Sequence, residues 1–153
     1  MKKLLVLVVL AAAGFFGYKQ VFAGSEAYRA YERFADALLY DHWEEARKLA
    51  HGDDVLGLVS DSERTAKTGG ESYRLIRGTV HGSPYRTVES ETASADGKTV
   101  TLKVVQEERR GPATMAPVGP PTLRHRQKVE MLLTSDGWEV ESFDEEVDRI
   151  SER

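Results

Sequence analysis

Cysteine is missing from all 153 residues. No disulfide can form, no thiolate can act as nucleophile or metal ligand, and no cysteine is available for a lipid anchor. Proline is scarce outside one place: four of the five prolines fall between Arg110 and Pro121. The chain has no G-x-S-x-G elbow, phosphate-binding glycine loop, H-E-x-x-H pair or dinucleotide glycine fingerprint. Positive charge is also short where it counts. Residues 1–23 hold three lysines and no acid, so residues 24–153 carry 18 basic and 25 acidic side chains, a net charge of −7. A surface of that sign argues against nucleic acid and against anionic lipid as partners.

The one long apolar run is at the front. Lys2 and Lys3 precede Leu4 to Gly17, which is unbroken by charge, and Gly24 opens polar sequence. A basic start, an apolar middle and a small-residue exit at Ala23 read as an export segment. Cleavage after Ala23 makes residues 1–23 a signal peptide. Retention makes them a single-pass anchor, since Leu4 to Ala23 spans roughly 30 Å as a helix. Either way residues 24–153 form one domain outside the cytoplasm, with residues 4–23 as its only membrane contact if they are retained. About 130 residues bury a core without covalent staples.

That domain divides by hydrophobic period. Tyr28, Tyr31, Phe34, Ala35, Leu38 and Leu39 recur at helical steps. Asp41 with Glu44 then suggests a capping box for a second helix, whose apolar face is Trp43, Ala46, Leu49 and Ala50. Glu44 and Lys48 are spaced to pair on its outer side. Gly52 reads as its stop, and Asp53 as the cap of a short third helix through Val59, followed by a polar connection. From Tyr73 the period becomes two, which predicts five strands near 72–81, 84–94, 98–109, 122–134 and 138–145. Asp96-Gly97 and Asp136-Gly137 mark hairpins. A three-residue loop ending at a left-handed Gly97 pairs Ser94 with Lys98, sets Val88 opposite Val104 and Glu89 opposite Lys103, and keeps apolar from charged. The acidic run Asp144 to Asp148 reads as a solvated end facing Arg124, Arg126 or Lys128.

His42 and His51 sit among acids, but nine residues apart they lie on opposite sides of one helix. Capping accounts for their neighbours, so we expect no metal and no cofactor. The proline-rich segment is stiff and partly apolar. Pro112, Met115, Pro117 and Val118 make it a candidate partner-binding loop, or simply a loop packed on its own sheet.

The segments "FADALLYDHWEEARKLA" (34–50) and "VEMLLTSDGWEVESF" (129–143) resemble the opening helices and the final hairpin of small exported members of the nuclear transport factor 2-like superfamily. That resemblance implies an α+β fold in which N-terminal helices pack on a curved antiparallel sheet and can leave a conical pocket. Tyr31, His125 and Gln127 would then meet at the pocket mouth. The plainer alternative makes Tyr31 core, His125 a rim residue and Gln127 a satisfied strand polar. Enzymes of the superfamily use a carboxylate or histidine in the cone. Here no carboxylate lies on the first helix's stripe, and Asp36 falls about 130° from its centre. The expected function is therefore a non-catalytic binding or assembly domain with an envelope protein as partner. The alternatives are an isomerase or hydrolase using His125 with Tyr31, or a carrier of a small apolar ligand. Trp138, beside Val140 in parity, is expected in the core.

Overall fold

The computed structural model describes residues 24–69, 85–109 and 121–149. The export segment, the expected strand at 72–81 and the loop residues Pro112, Met115, Pro117 and Val118 lie outside the described residues. Helices α1 (Glu26–Leu39), α2 (Trp43–Lys48) and α3 (Asp53–Thr68) come first, followed by strands β1 (Tyr85–Ala93), β2 (Thr99–Arg109), β3 (Pro121–Thr134) and β4 (Gly137–Arg149). The strands form one antiparallel sheet in the order β1-β2-β3-β4. No helix among the described residues is long and apolar enough to cross a membrane.

Ser25 starts α1, its hydroxyl oxygen accepting the Tyr28 N–H at 3.0 Å. The helix buries Ala27, Tyr28, Ala30, Tyr31, Phe34 and Ala37. Asp41 does not cap α2 as expected. It takes the left-handed conformation with φ 61° just past α1, and the His42 N–H reaches back to the Ala37 carbonyl at 2.8 Å. This is a Schellman end, which aspartate tolerates because a short polar side chain is the least strained there after glycine. His42 occupies the N-cap of α2 without a side-chain cap, and Glu44 pairs with Arg47 at 2.9 Å rather than with Lys48.

Gly52, with φ 79° and ψ 161°, is the N-cap of α3, and Asp53 is its first helical residue. The third helix is also longer than expected, because charge pairs carry it through the polar stretch. Arg64 meets Asp61 at 2.8 Å and Lys67 meets Glu63 at 2.6 Å, while Arg47 of α2 also binds Glu63.

The inner face of the sheet supplies Val100, Leu102, Val104, Val129, Met131 and Val140, all buried against the helices. Three register shifts occur among the described strands, one of them between Glu108 and Arg109 at the far end of the β2–β3 pairing. In the first hairpin Ser94 pairs across a four-residue loop with Thr99, not with Lys98. Gly97 is left-handed as expected, with φ 69°. A bulge at Glu89 then absorbs the one-residue error, so Val88 does face Val104 while Ser90, not Glu89, faces Lys103. A second bulge at Glu141 lies between the pairs Met131–Val140 and Glu130–Ser142. Trp138 is only half-buried. It packs on the margin of the core beside Leu133, which is 43% exposed, rather than within it.

The last strand runs past 145, and the acidic run is part of it. Arg126 meets Asp148 at 2.6 Å, whereas Arg124 turns the other way to Glu107 at 3.0 Å. The link between α2 and α3 also touches the sheet. The Val140 N–H donates to the Leu49 carbonyl and the His51 N–H to the Val140 carbonyl, each at 2.7 Å.

Candidate functional site

Down the inner face, cross-strand rows change character. Val100, Met131 and Val140 form one row and Leu102, Val129 and Phe143 the next. Then come Val104, Gln127 and Glu145, and finally Arg86, Gln106, His125 and Val147. The apolar rows lie under the helices. The polar rows face a groove of about 250 Å³, roofed by Leu38 and Leu39 of α1 and Leu58 and Ser62 of α3.

His125 and Gln127 line this groove, whereas Tyr31 does not and belongs to the core. Tyr31 is fully buried and its hydroxyl donates to Gln127 Oε1. Gln127 Nε2 donates to Glu145 Oε1 at 2.7 Å, and His125 Nδ1 lies 3.1 Å from the same oxygen. One carboxylate oxygen thus gathers both strand side chains, and the glutamine hands the connection on to the phenol.

Burial pushes Glu145 towards its neutral form, but the hydrogen bonds from His125 and Gln127 outweigh it and hold the carboxyl below its ordinary value. The ionised carboxylate can only accept, so His125 Nδ1 carries the proton in this contact. Burial drives the Tyr31 phenol well above its usual range, and the nearby Arg86 charge only partly offsets that. Arg86 itself is nearly enclosed. It donates from Nη1 to Asp36 Oδ1 at 2.6 Å and from Nε to Gln106 Oε1 at 2.9 Å.

Glu145 and Arg86 were not singled out from the sequence. Trp138 and Val140 share one parity, Phe143 and Val147 the other, and Glu145 belongs with the second pair. That switch of parity inside one strand is the trace of the bulge at Glu141. Asp36 lies off the α1 stripe as expected, and uses that position to hold Arg86.

The histidines of the 40–54 stretch are elsewhere. The His42 ring lies 6.4 Å from that of Tyr40, and His51 Nδ1 lies 3.0 Å from Glu139 Oε2. No group of three or more metal-ligating side chains occurs among the described residues. A larger open groove, about 670 Å³, surrounds Trp43, but most of its rim is exposed side chains of both signs.

These observations define an α+β protein: N-terminal helices cover one face of a four-stranded antiparallel sheet, with a hydrogen-bonded polar cluster where the apolar rows end. No protein-family model matches the chain, and no curated protein matches it. Among solved structures it is similar to the crystal structure of the intermembrane space region of chloroplast protein ARC6. That likeness has 16% identity and a TM-score of 0.45, and covers 67% of this chain and 76% of that one.

Proposed function

We propose that residues 24–153 are a non-catalytic binding or assembly domain of the nuclear transport factor 2-like kind, held on the outer side of a membrane by residues 1–23 or released there after their cleavage. One observation carries the non-catalytic reading. The space an open cone would need is occupied by Tyr31, Phe34, Leu102 and Met131, all fully buried. The groove that remains, about 250 Å³, falls below the roughly 300–1,000 Å³ of small-molecule sites. Within it His125 and Gln127 both bind Glu145, and Arg86 binds Gln106. In this reading the bulges at Glu89 and Glu141 bend the sheet into the curve of the superfamily, and the partner is an envelope protein.

A second reading rests on His125 and Glu145, 3.1 Å apart at an open groove, which is the pairing an acid–base catalyst of isomerisation or hydrolysis would use. Cross-linking in intact cells separates the two. Photoreactive residues replacing Tyr40, Leu56, Leu133 or Val147, the exposed large apolar side chains among the described residues, should give a discrete adduct with an envelope protein. His125→Gln should leave that adduct and the cellular phenotype unchanged. No adduct from any of the four, or a phenotype lost in His125→Gln at normal protein level, overturns the non-catalytic reading.

A further inference from the structure

The chain has two tryptophans, Trp43 and Trp138, and both are half-buried at the margin of the core. Trp43 opens α2, and Trp138 follows the Gly137 turn into β4. Neither ring N–H donates to a described residue. A buried indole ordinarily finds an acceptor, and an indole with a packed body and a wet N–H is the form the residue takes at recognition surfaces.

A groove of about 580 Å³ lies between α1 and Trp138, and the groove of about 670 Å³ surrounds Trp43. Each falls within the roughly 300–1,000 Å³ of small-molecule sites. Arg33 lines both, so the two grooves are neighbours across one side chain. Arg33 is exposed and has no hydrogen bond or ion pair with a described residue.

The lining is charged but nearly balanced. Asp36 is paired with Arg86 at 2.6 Å, Glu44 with Arg47 at 2.9 Å, and Glu63 with Arg47 and Lys67. Glu32 and Glu45 stand against Arg33 and Lys48, and none of these four has an ion pair with a described residue. Such a surface holds no excess of one sign to draw in a polycation or a polyanion. It offers flat apolar rings, carboxylate acceptors and a guanidinium donor side by side.

We propose that Trp138, Arg33 and Trp43 form a binding site for an uncharged oligosaccharide, with one sugar ring on each indole and Arg33 between them. A sugar ring turns a face of C–H groups outward, and these settle on the electron-rich face of an aromatic ring. Its hydroxyls both donate and accept. The carboxylates of Glu32 and Glu45 accept from them, and the fork of Arg33 donates to two neighbouring oxygens. The site goes beyond the protein-partner reading and shares with it only the export of residues 24–153, which puts the grooves on the side of extracytoplasmic polysaccharide.

Because both indoles of the chain lie in the site, intrinsic fluorescence reports on it directly. The full chain, in a zwitterionic detergent that carries no sugar, is titrated with β-1,4-linked tetramers of N-acetylglucosamine and of glucose. A galacturonate tetramer and a capped peptide of alternating lysine and valine are the anionic and cationic controls. At least one neutral tetramer should shift the emission to the blue, with no change as salt is raised, and neither control should do so. Trp43→Phe, Trp138→Phe and Arg33→Ala should each weaken binding about tenfold. Arg33→Ala should also keep the wild-type thermal midpoint, since Arg33 makes no hydrogen bond or ion pair with a described residue, so its lost affinity is not lost fold. The proposal is overturned if neither neutral tetramer shifts the emission, if the lysine peptide binds in their place, or if Arg33→Ala binds as well as wild type. If no sugar binds while cross-links to an envelope protein persist, the protein-partner reading stands and only this site is wrong. If sugar binds where cross-links fail, this site stands and the protein partner falls.

Discussion

At the scale of single residues, the cluster is a chain of dependencies that begins in the core. Among the described residues Tyr31 is the one donor to Gln127 Oε1, so Tyr31→Phe leaves a buried acceptor short of that partner. We expect it to cost about 1–3 kcal/mol, measured by denaturant unfolding. Glu145 makes the cluster sensitive to acid, and the sign is fixed by its direction of shift. The folded carboxyl sits below its ordinary value of 4.5, so its ionisation stabilises the fold above that pH. The contribution fades as pH falls through the lower folded value. The stability gap between wild type and Glu145→Gln should therefore be open at neutral pH and narrow steadily below about pH 4.5. A gap that is constant with pH would mean the carboxylate is not held in its charged form. The parity of β3 made Tyr31, His125 and Gln127 legible from sequence, because alternation alone puts His125 and Gln127 on the face of Val129 and Met131. Glu145 was hidden, because an alternation counted from Trp138 puts it on the wrong face.

At the scale of elements, the local irregularities decide which side chains meet. Deleting Glu141 removes the extra residue and joins Val140 directly to Ser142, so the pairs Met131–Val140 and Glu130–Ser142 are kept and Phe143, Glu145 and Val147 stay on the inner face. We expect a cooperative thermal transition by circular dichroism to be retained, and a broadened transition would refute the placement of the extra residue at Glu141. Asp41 gives the opposite kind of test. Its left-handed conformation favours glycine, so Asp41→Gly should raise stability by about 0.5–1 kcal/mol, read from the denaturant midpoint. The elements themselves were largely legible. Period-three-to-four spacing located α1, and period two with the Asp-Gly turns located four strands to within a few residues. What escaped was context. Asp41 fits a cap at either of two helices, and only the folded path of α1 decides. The polar stretch after Val59 lacks an apolar stripe, so its ion pairs with α2 and within α3 were needed to show that the helix continues.

At the scale of the whole molecule, the domain closes by joining its two ends. The helices come from the first described third of the chain and pack most closely on β3 and β4, which come from the last. If residues 1–23 act as the proposed export segment, a reporter active only in the cytoplasm should stay silent when fused after Arg153. The same reporter should be active once Leu4 to Gly17 is deleted. Activity in both fusions would place the domain inside the cell and remove the envelope partner with it.

The bridge from Leu49 and His51 to Val140 also has a kinetic meaning. It joins positions about ninety residues apart, and contacts of such separation form late because a long loop must close first. The helices emerge from the ribosome well before the strand that receives them. Until residues near Val140 follow, the apolar face of α1 has no β4 on which to settle. A chain that cannot finish its core early stays unfolded for longer, which would suit passage through a translocation channel if residues 1–23 act as the proposed export segment.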